Sequence, residues 1–135
     1  MDTSLLESLL NDPQGIKVLS TCNGVGAPNV AVFGSARLLE DGHVRFGLSD
    51  NRSWENLRVN RRAVLMVFKP AEQVLAWQGV RAYLTLDEVV EAGPVLEGVR
   101  TEVEQQAGTM AARMVKRVVR FRIDMLRPLI DMQAM

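Results

Sequence analysis

The segment Val44-Arg45-Phe46-Gly47-Leu48-Ser49 alternates apolar and polar residues with the two-residue period of a half-buried strand. Asp50-Asn51 breaks it with turn chemistry, since both side chains can bond their own backbone two residues on. Trp54 to Asn60 then reads as a short helix, for which Ser53 is the expected N-cap. A strand running straight into a helix fixes the helix's unpaired first-turn N–H groups at one edge of a sheet, and the rest of the chain must fold around that junction. Those N–H groups and the positive end of the helix dipole favour an anion, and Arg52 adds a planar fork of donors beside them. The same four residues also fit a purely structural helix start, so two readings stand: a small phosphate site, or a cap with no ligand.

The flanking segments carry strand patterns. Residues 4–11 form an amphipathic helix with Leu5, Leu6, Leu9 and Leu10 in one stripe, Thr3 or Ser4 as cap, and Asp12-Pro13-Gln14-Gly15 as its stop. Ile16–Cys22 is the first strand, and Asn23–Pro28 the hairpin loop after it. The second strand spans Asn29–Leu39, with Gly34-Ser35-Ala36 where bulkier residues would pack better. Small residues inside a strand mark a bulge, a barrel corner, or a place where another group approaches the backbone; a flat ligand ring would account for the vacancy equally well. Glu40-Asp41-Gly42 turns into the strand at Val44. Beyond the short helix, Ala63–Phe68 is an unbroken apolar run suited to a strand buried on both faces. Val74–Leu86 is a long strand with Gly79 as a bend, and Val80, Ala82, Leu84 and Leu86 share one of its faces.

Gly93-Pro94 opens a helix whose stripe is Val95, Leu96, Val99 and Val103, ending at Gln105–Gly108. A short helical turn with Met110, Ala111 and Met114 as soft filler follows. The last strand, Lys116–Met125, sets Val119, Phe121, Ile123 and Met125 against a face of Arg120, Arg122 and Asp124. That polar face suits solvent, a nearby anion or a subunit boundary. The apolar Arg127-Pro128-Leu129-Ile130 should dock on its own barrel or on a partner. Six mostly hairpin-linked strands with three sets of helices predict a mainly β single domain over 1–135: a six-stranded antiparallel barrel with outer helices.

Composition narrows the function classes. With a formal net charge of zero, neither nucleic acid nor an anionic membrane is an expected partner. One cysteine, Cys22, allows no internal disulfide and reads as a small core residue; with a single histidine, His43, no zinc-ligand set is expected. The start Met1-Asp2-Thr3-Ser4 lacks a basic n-region, which leads to the expectation of a cytoplasmic protein.

The order of these pieces, with Phe46-x-Leu48-Ser49, Arg52-Ser53-x-x-Asn56-Leu57, Gly79-Val80-Arg81-Ala82-Tyr83-Leu84 and the closing Ile123–Asp131, resembles the pyridoxamine 5'-phosphate oxidase-like, FMN-binding split-barrel family, small single-domain members in particular. The resemblance implies a homodimer holding FMN at its interface. Arg52 and Ser53 match the basic residue and hydroxyl that hold the FMN phosphate, with Ser49 and Asn51 in the loop that lines it. Val32, Phe33, Gly34 and Ser35 match the strand whose backbone faces the isoalloxazine ring, and Phe46, Gly47 and Leu48 the strand beneath it. Trp77 and Gln78 resemble a partner-side contribution, although Trp77 also suits an ordinary core or interface aromatic. The C-terminal Arg/His pattern of the true oxidases is missing from Met132-Gln133-Ala134-Met135, which argues against pyridoxamine phosphate oxidation itself. The implied role is redox: a nicotinamide-fed flavin reductase or an electron carrier between partners, with no catalytic side chain singled out because the flavin supplies the chemistry. The alternatives are a split barrel that binds haem or a deazaflavin without catalysis, and a cofactor-free structural dimer.

Overall fold

The computed structural model describes residues 1–131; the tail Met132–Met135, considered above for its lack of basic residues, lies outside the described residues. Its elements are α1 (Ser4–Leu10), β1 (Ile16–Cys22), β2 (Pro28–Val32), β3 (Arg37–Leu38), β4 (Val44–Leu48), α2 (Arg52–Val59), β5 (Arg62–Lys69), β6 (Gln78–Val90), α3 (Pro94–Ala107), α4 (Thr109–Met114) and β7 (Arg117–Pro128). The strands form one antiparallel sheet in the order β2-β1-β5-β6-β7-β4-β3.

That order forces the sheet to curl. β2 and β3 are its two edges, yet only Phe33–Ala36 separates them in sequence. Laid flat, seven strands would set the edges roughly 29 Å apart at the usual strand spacing. The five residue steps from Val32 to Arg37 reach at most about 18 Å. The sheet closes into a barrel with one unpaired seam, and Phe33–Ala36 bridges it. The seam is also why seven strands are found where six were expected. The predicted strand over Asn29–Leu39 is two strands on opposite edges, and its small residues fall in the crossing.

The barrel is filled by alternate residues of each strand: Leu19, Val44, Phe46, Leu48, Leu65, Val67, Ala82, Leu84, Leu86, Val119 and Phe121 are all buried in one cluster. Phe46 lies between Phe33 and Phe121 with ring centroids 5.1 Å from each. Leu6, Leu9 and Leu10 of α1 join this core, although neither Thr3 nor Ser4 caps the helix by its side chain; the Asp2 carboxylate accepts from the Ser4 N–H at 2.9 Å instead. A second cluster joins Leu96, Val99 and Val103 of α3 to Ala112, Val115 and Val118, outside β4 and β7. Gly47 makes that packing possible. A Cβ there would stand 2.8 Å from Val115 Cγ1 and 3.1 Å from Val99 Cγ1.

Several expected boundaries move. Val74–Ala76 is a 3₁₀ turn, and the long strand begins at Gln78 and continues to Val90. Its bends are register shifts at Tyr83/Leu84 and Leu86/Glu88, while Gly79 near its start serves close packing: an added Cβ would meet Phe68, Leu129 and the Val67 carbonyl at 2.8–2.9 Å. The last strand runs on to Pro128, so Arg127 and Pro128 pair with β6, and Arg81 holds the Pro128 carbonyl and Asp131, each at 2.8 Å. Cys22 is half-buried. In β5 only Ala63, Leu65 and Val67 are buried, while Val64, Met66 and Phe68 are half-buried on the barrel's outer face.

Candidate functional site

The seam gathers most of the residues singled out by the sequence. Phe33–Ala36 is pinned at both ends: the Phe33 N–H donates to the Lys17 carbonyl at 2.9 Å, and Ala36 is buried in the core. In between, Ser35 Oγ accepts from the Gly47 N–H at 3.2 Å, tying the bridge to β4. Gly34 is exposed, and nothing lies within 4 Å of where its Cβ would be. On one side of this bridge lies a cleft of about 360 Å³. Val32, Phe33, Gly34, Ser35, Gly47, Ser49 and Asn51 line it from the sheet side, and Val103, Ala107, Ala111, Met114 and Val115 of the α3–α4 corner form the apolar wall opposite. The side chains of Phe46 and Leu48 point into the barrel core, so they support the cleft from beneath without reaching it. A larger hollow of about 680 Å³ shares the bridge and the Gln106–Ala107 end of α3 with this cleft and extends beside Asp12, Lys17 and Arg37. Burial pulls the Lys17 ammonium down from its ordinary range, with Asp12 partly countering.

At the polar end of the cleft the helix cap differs from expectation. Asn51 is the N-cap: its extended backbone lets Oδ1 accept from the Trp54 N–H at 2.9 Å, while Nδ2 donates to Ser49 Oγ at 3.0 Å. Ser53 is the second residue of the helix, on its buried face with Asn56 and Leu57; it is 1% exposed and its hydroxyl has no partner among the described residues. Asn56 anchors this face by donating to Thr21 Oγ1 at 3.0 Å. Arg52 is the first helical residue, and its guanidinium is exposed, 4.0 Å from Glu55. Trp77 and Gln78 are not brought to the cleft within one chain. Trp77 stacks on Phe68 at 5.6 Å and donates to the Ala71 carbonyl at 2.8 Å, at the β5–β6 end of the barrel, where Gln78 pairs with Lys69.

One residue beneath the loop escaped the sequence reading. Arg117 is 6% exposed; Nη1 donates to the Ser49 carbonyl at 2.9 Å, Nη2 to Asp50 Oδ1 at 2.6 Å, and the guanidinium lies 4.4 Å from the Trp54 ring centre. Strand parity was the available signal: Arg117 falls on the same alternate positions as Val119 and Phe121, an inward place for a charge.

A flat, phosphate-bearing cofactor fits these features on two counts. The unfilled space over Gly34 faces an apolar wall across the cleft, and Asn51, the N-cap of α2, lines its polar end; Ser53, in the first turn of that helix, is buried behind the cap and does not itself line the cleft, although its hydroxyl has no partner among the described residues. Among the described residues there is no cluster of His, Cys, Asp and Glu able to hold a metal, and no helix long and apolar enough to cross a membrane.

No protein-family model and no curated protein sequence matches the chain. Solved structures do. An FMN-binding protein from Syntrophomonas wolfei subsp. wolfei superposes with a TM-score of 0.83 at 20% identity, over 98% of this chain and 91% of the other. HutZ, the haem storage protein of Vibrio cholerae, superposes with a TM-score of 0.68 at 17% identity, over 91% of each chain. An F420 reductase does so with a TM-score of 0.68 at 16% identity, over 90% of this chain and 94% of the other. At these identities the likeness is one of fold. The resemblance drawn from the sequence is borne out at that level: this chain is an antiparallel split barrel with flanking helices, an architecture it shares with an FMN-binding protein.

Proposed function

We propose that the chain is a homodimeric FMN-binding flavoprotein that handles electrons. The observation that carries the reading is the cleft at the seam, where a side-chain-free stretch of backbone at Gly34 faces an apolar wall and leads to the N-terminus of α2. Bound FMN would supply reversible redox chemistry. In this reading the Phe33–Ser35 backbone and the α3–α4 wall sandwich the ring and exclude water. Ser53 and the first-turn N–H groups of α2 take the phosphate, and Arg52, held only loosely by Glu55, is free to swing onto it. The electron donor is read as a nicotinamide or a redox partner.

His43 favours flavin over haem. It is the only histidine of the chain, and both ring nitrogens are engaged, by Asp41 at 3.2 Å and Asp87 at 2.9 Å, on the β3–β4 hairpin. Iron takes a single ring nitrogen, so an axial role would cost His43 its contact to Asp41 or its contact to Asp87.

The spectrum decides. Protein mixed with FMN and desalted should retain the paired visible bands of oxidised flavin. A colourless product would remove the flavin function, and retention of haem or a deazaflavin in its place would shift the assignment to that ligand.

The dimer is supported by the barrel's outer face. Val30 and Val32 of edge strand β2 are 65% and 77% exposed, and cross-strand pairing continues their stripe through Val18 to Met66 and through Ser20 to Val64, Tyr83 and Met125. An exposed, largely apolar face of this kind, interrupted by Ser20, suits association with a second copy. Val32 belongs to both the stripe and the cleft, so a second copy seated here would reach the cofactor, and Trp77 and Gln78 are the residues proposed to serve the partner's site. Light scattering should give twice the 15.0 kDa of one chain; a monomer would overturn the dimer.

A further inference from the structure

We infer that Arg117 is a positioning residue for the phosphate end of the cleft, an inference that rests on the FMN reading above. A guanidinium taken almost wholly out of water is costly unless its donors are met. Arg117 offsets much of that cost through contacts to three parts of one junction, the Ser49 carbonyl, the Asp50 carboxylate and the Trp54 ring, which leave only its Nε–H unmet. These span the junction between β4 and α2. With both ends of it held, Asn51 keeps the extended backbone that lets it cap the Trp54 N–H, and the Arg52 and Ser53 amides stay aimed outward without intrahelical partners.

The second consequence is electrostatic. Asp50 stands one residue before the cap, and its carboxylate would repel an incoming phosphate. Arg117 engages that carboxylate from the barrel side through the 2.6 Å contact, so the anion meets a neutralised pair rather than a free negative charge. The Nε–H of Arg117 and the Ser53 hydroxyl are both buried without partners among the described residues. Two spare polar groups flank the same short junction.

The test compares FMN with riboflavin, which lacks only the phosphate, by flavin-fluorescence titration of the intact 135-residue chain. In the parent, FMN should bind far more tightly than riboflavin. In Arg117→Met that preference should fall by about tenfold or more, with riboflavin affinity within about twofold of the parent. In Arg117→Lys, which restores a charge opposite Asp50 but not the fork, the preference should be intermediate. Should the methionine variant fail to fold, the lysine variant decides by itself. A folded Arg117 variant with the parent's FMN-to-riboflavin ratio overturns the positioning role and leaves the FMN reading standing. A parent that binds both flavins equally overturns the phosphate site itself, and Arg117's role with it.

Discussion

Phe46→Ala should lower the free energy of unfolding by about 3–5 kcal/mol, read from the midpoint and slope of urea denaturation. Phe46 is fully buried at the centre of β4, and its ring is in contact range of Phe33 on the seam and Phe121 on β7. Truncation removes a large apolar surface from the core and leaves a cavity that the strands, held in register on either side, cannot collapse around. It also forfeits two aromatic pairs, each worth about 0.5–1.5 kcal/mol beyond area burial. Phe46→Leu, which keeps most of the volume, should cost less than half as much. A loss below about 1 kcal/mol for the alanine variant would contradict the placement of Phe46 at the core's centre. The seam should loosen as well, because Phe33 loses the ring that holds its side chain inward.

Much of this core was legible in the sequence because strand parity is a short-range property. The alternation of Val44, Phe46 and Leu48, and of Val80 through Leu86, places those residues on the inner face without any knowledge of neighbours. The split of Asn29–Leu39 was not legible. Phe33–Ala36 looks like a weak strand interior, and only the pairing of β2 and β3 with different partners shows it to be a crossing. At the helix start, Asn51 and Ser53 are both good caps; the choice was made by the backbone at Asn51, whose extended conformation brings its amide within reach of Trp54.

The cleft divides the same way. Its sheet side, Val32 to Ser35 with Gly47, Ser49 and Asn51, followed from the resemblance and from the oddity of small residues in a strand. Its other wall did not, since Val103, Ala111 and Met114 lie on stripes that read as ordinary helix packing and filler. Arg117 was passed over because a basic residue at a strand's start is usually solvated, and its burial depends on the long-range return of β7 beside β4. Trp77 and Gln78, expected as a contribution from the partner side, lie away from the cleft of their own chain.

Gly34→Leu separates folding from binding. With nothing within 4 Å of an added Cβ and no left-handed backbone to strain, the substitution should leave stability within about 0.5 kcal/mol of the parent, and a small gain from reduced unfolded-state freedom would be in order. FMN affinity should nonetheless fall by about tenfold to a hundredfold, because the isobutyl group would stand in the space assigned to the ring and binding would have to overpack it. Gly34→Ala, with a single methyl, should show a smaller loss in the same direction. Riboflavin affinity should fall in parallel with that of FMN, since the obstruction lies at the ring and not at the phosphate; that pattern is the reverse of the one expected at Arg117. A Gly34→Leu protein that melts like the parent and binds FMN like the parent would show that the ring does not lie against this backbone, and the vacancy at Gly34 would then be only what the seam crossing requires.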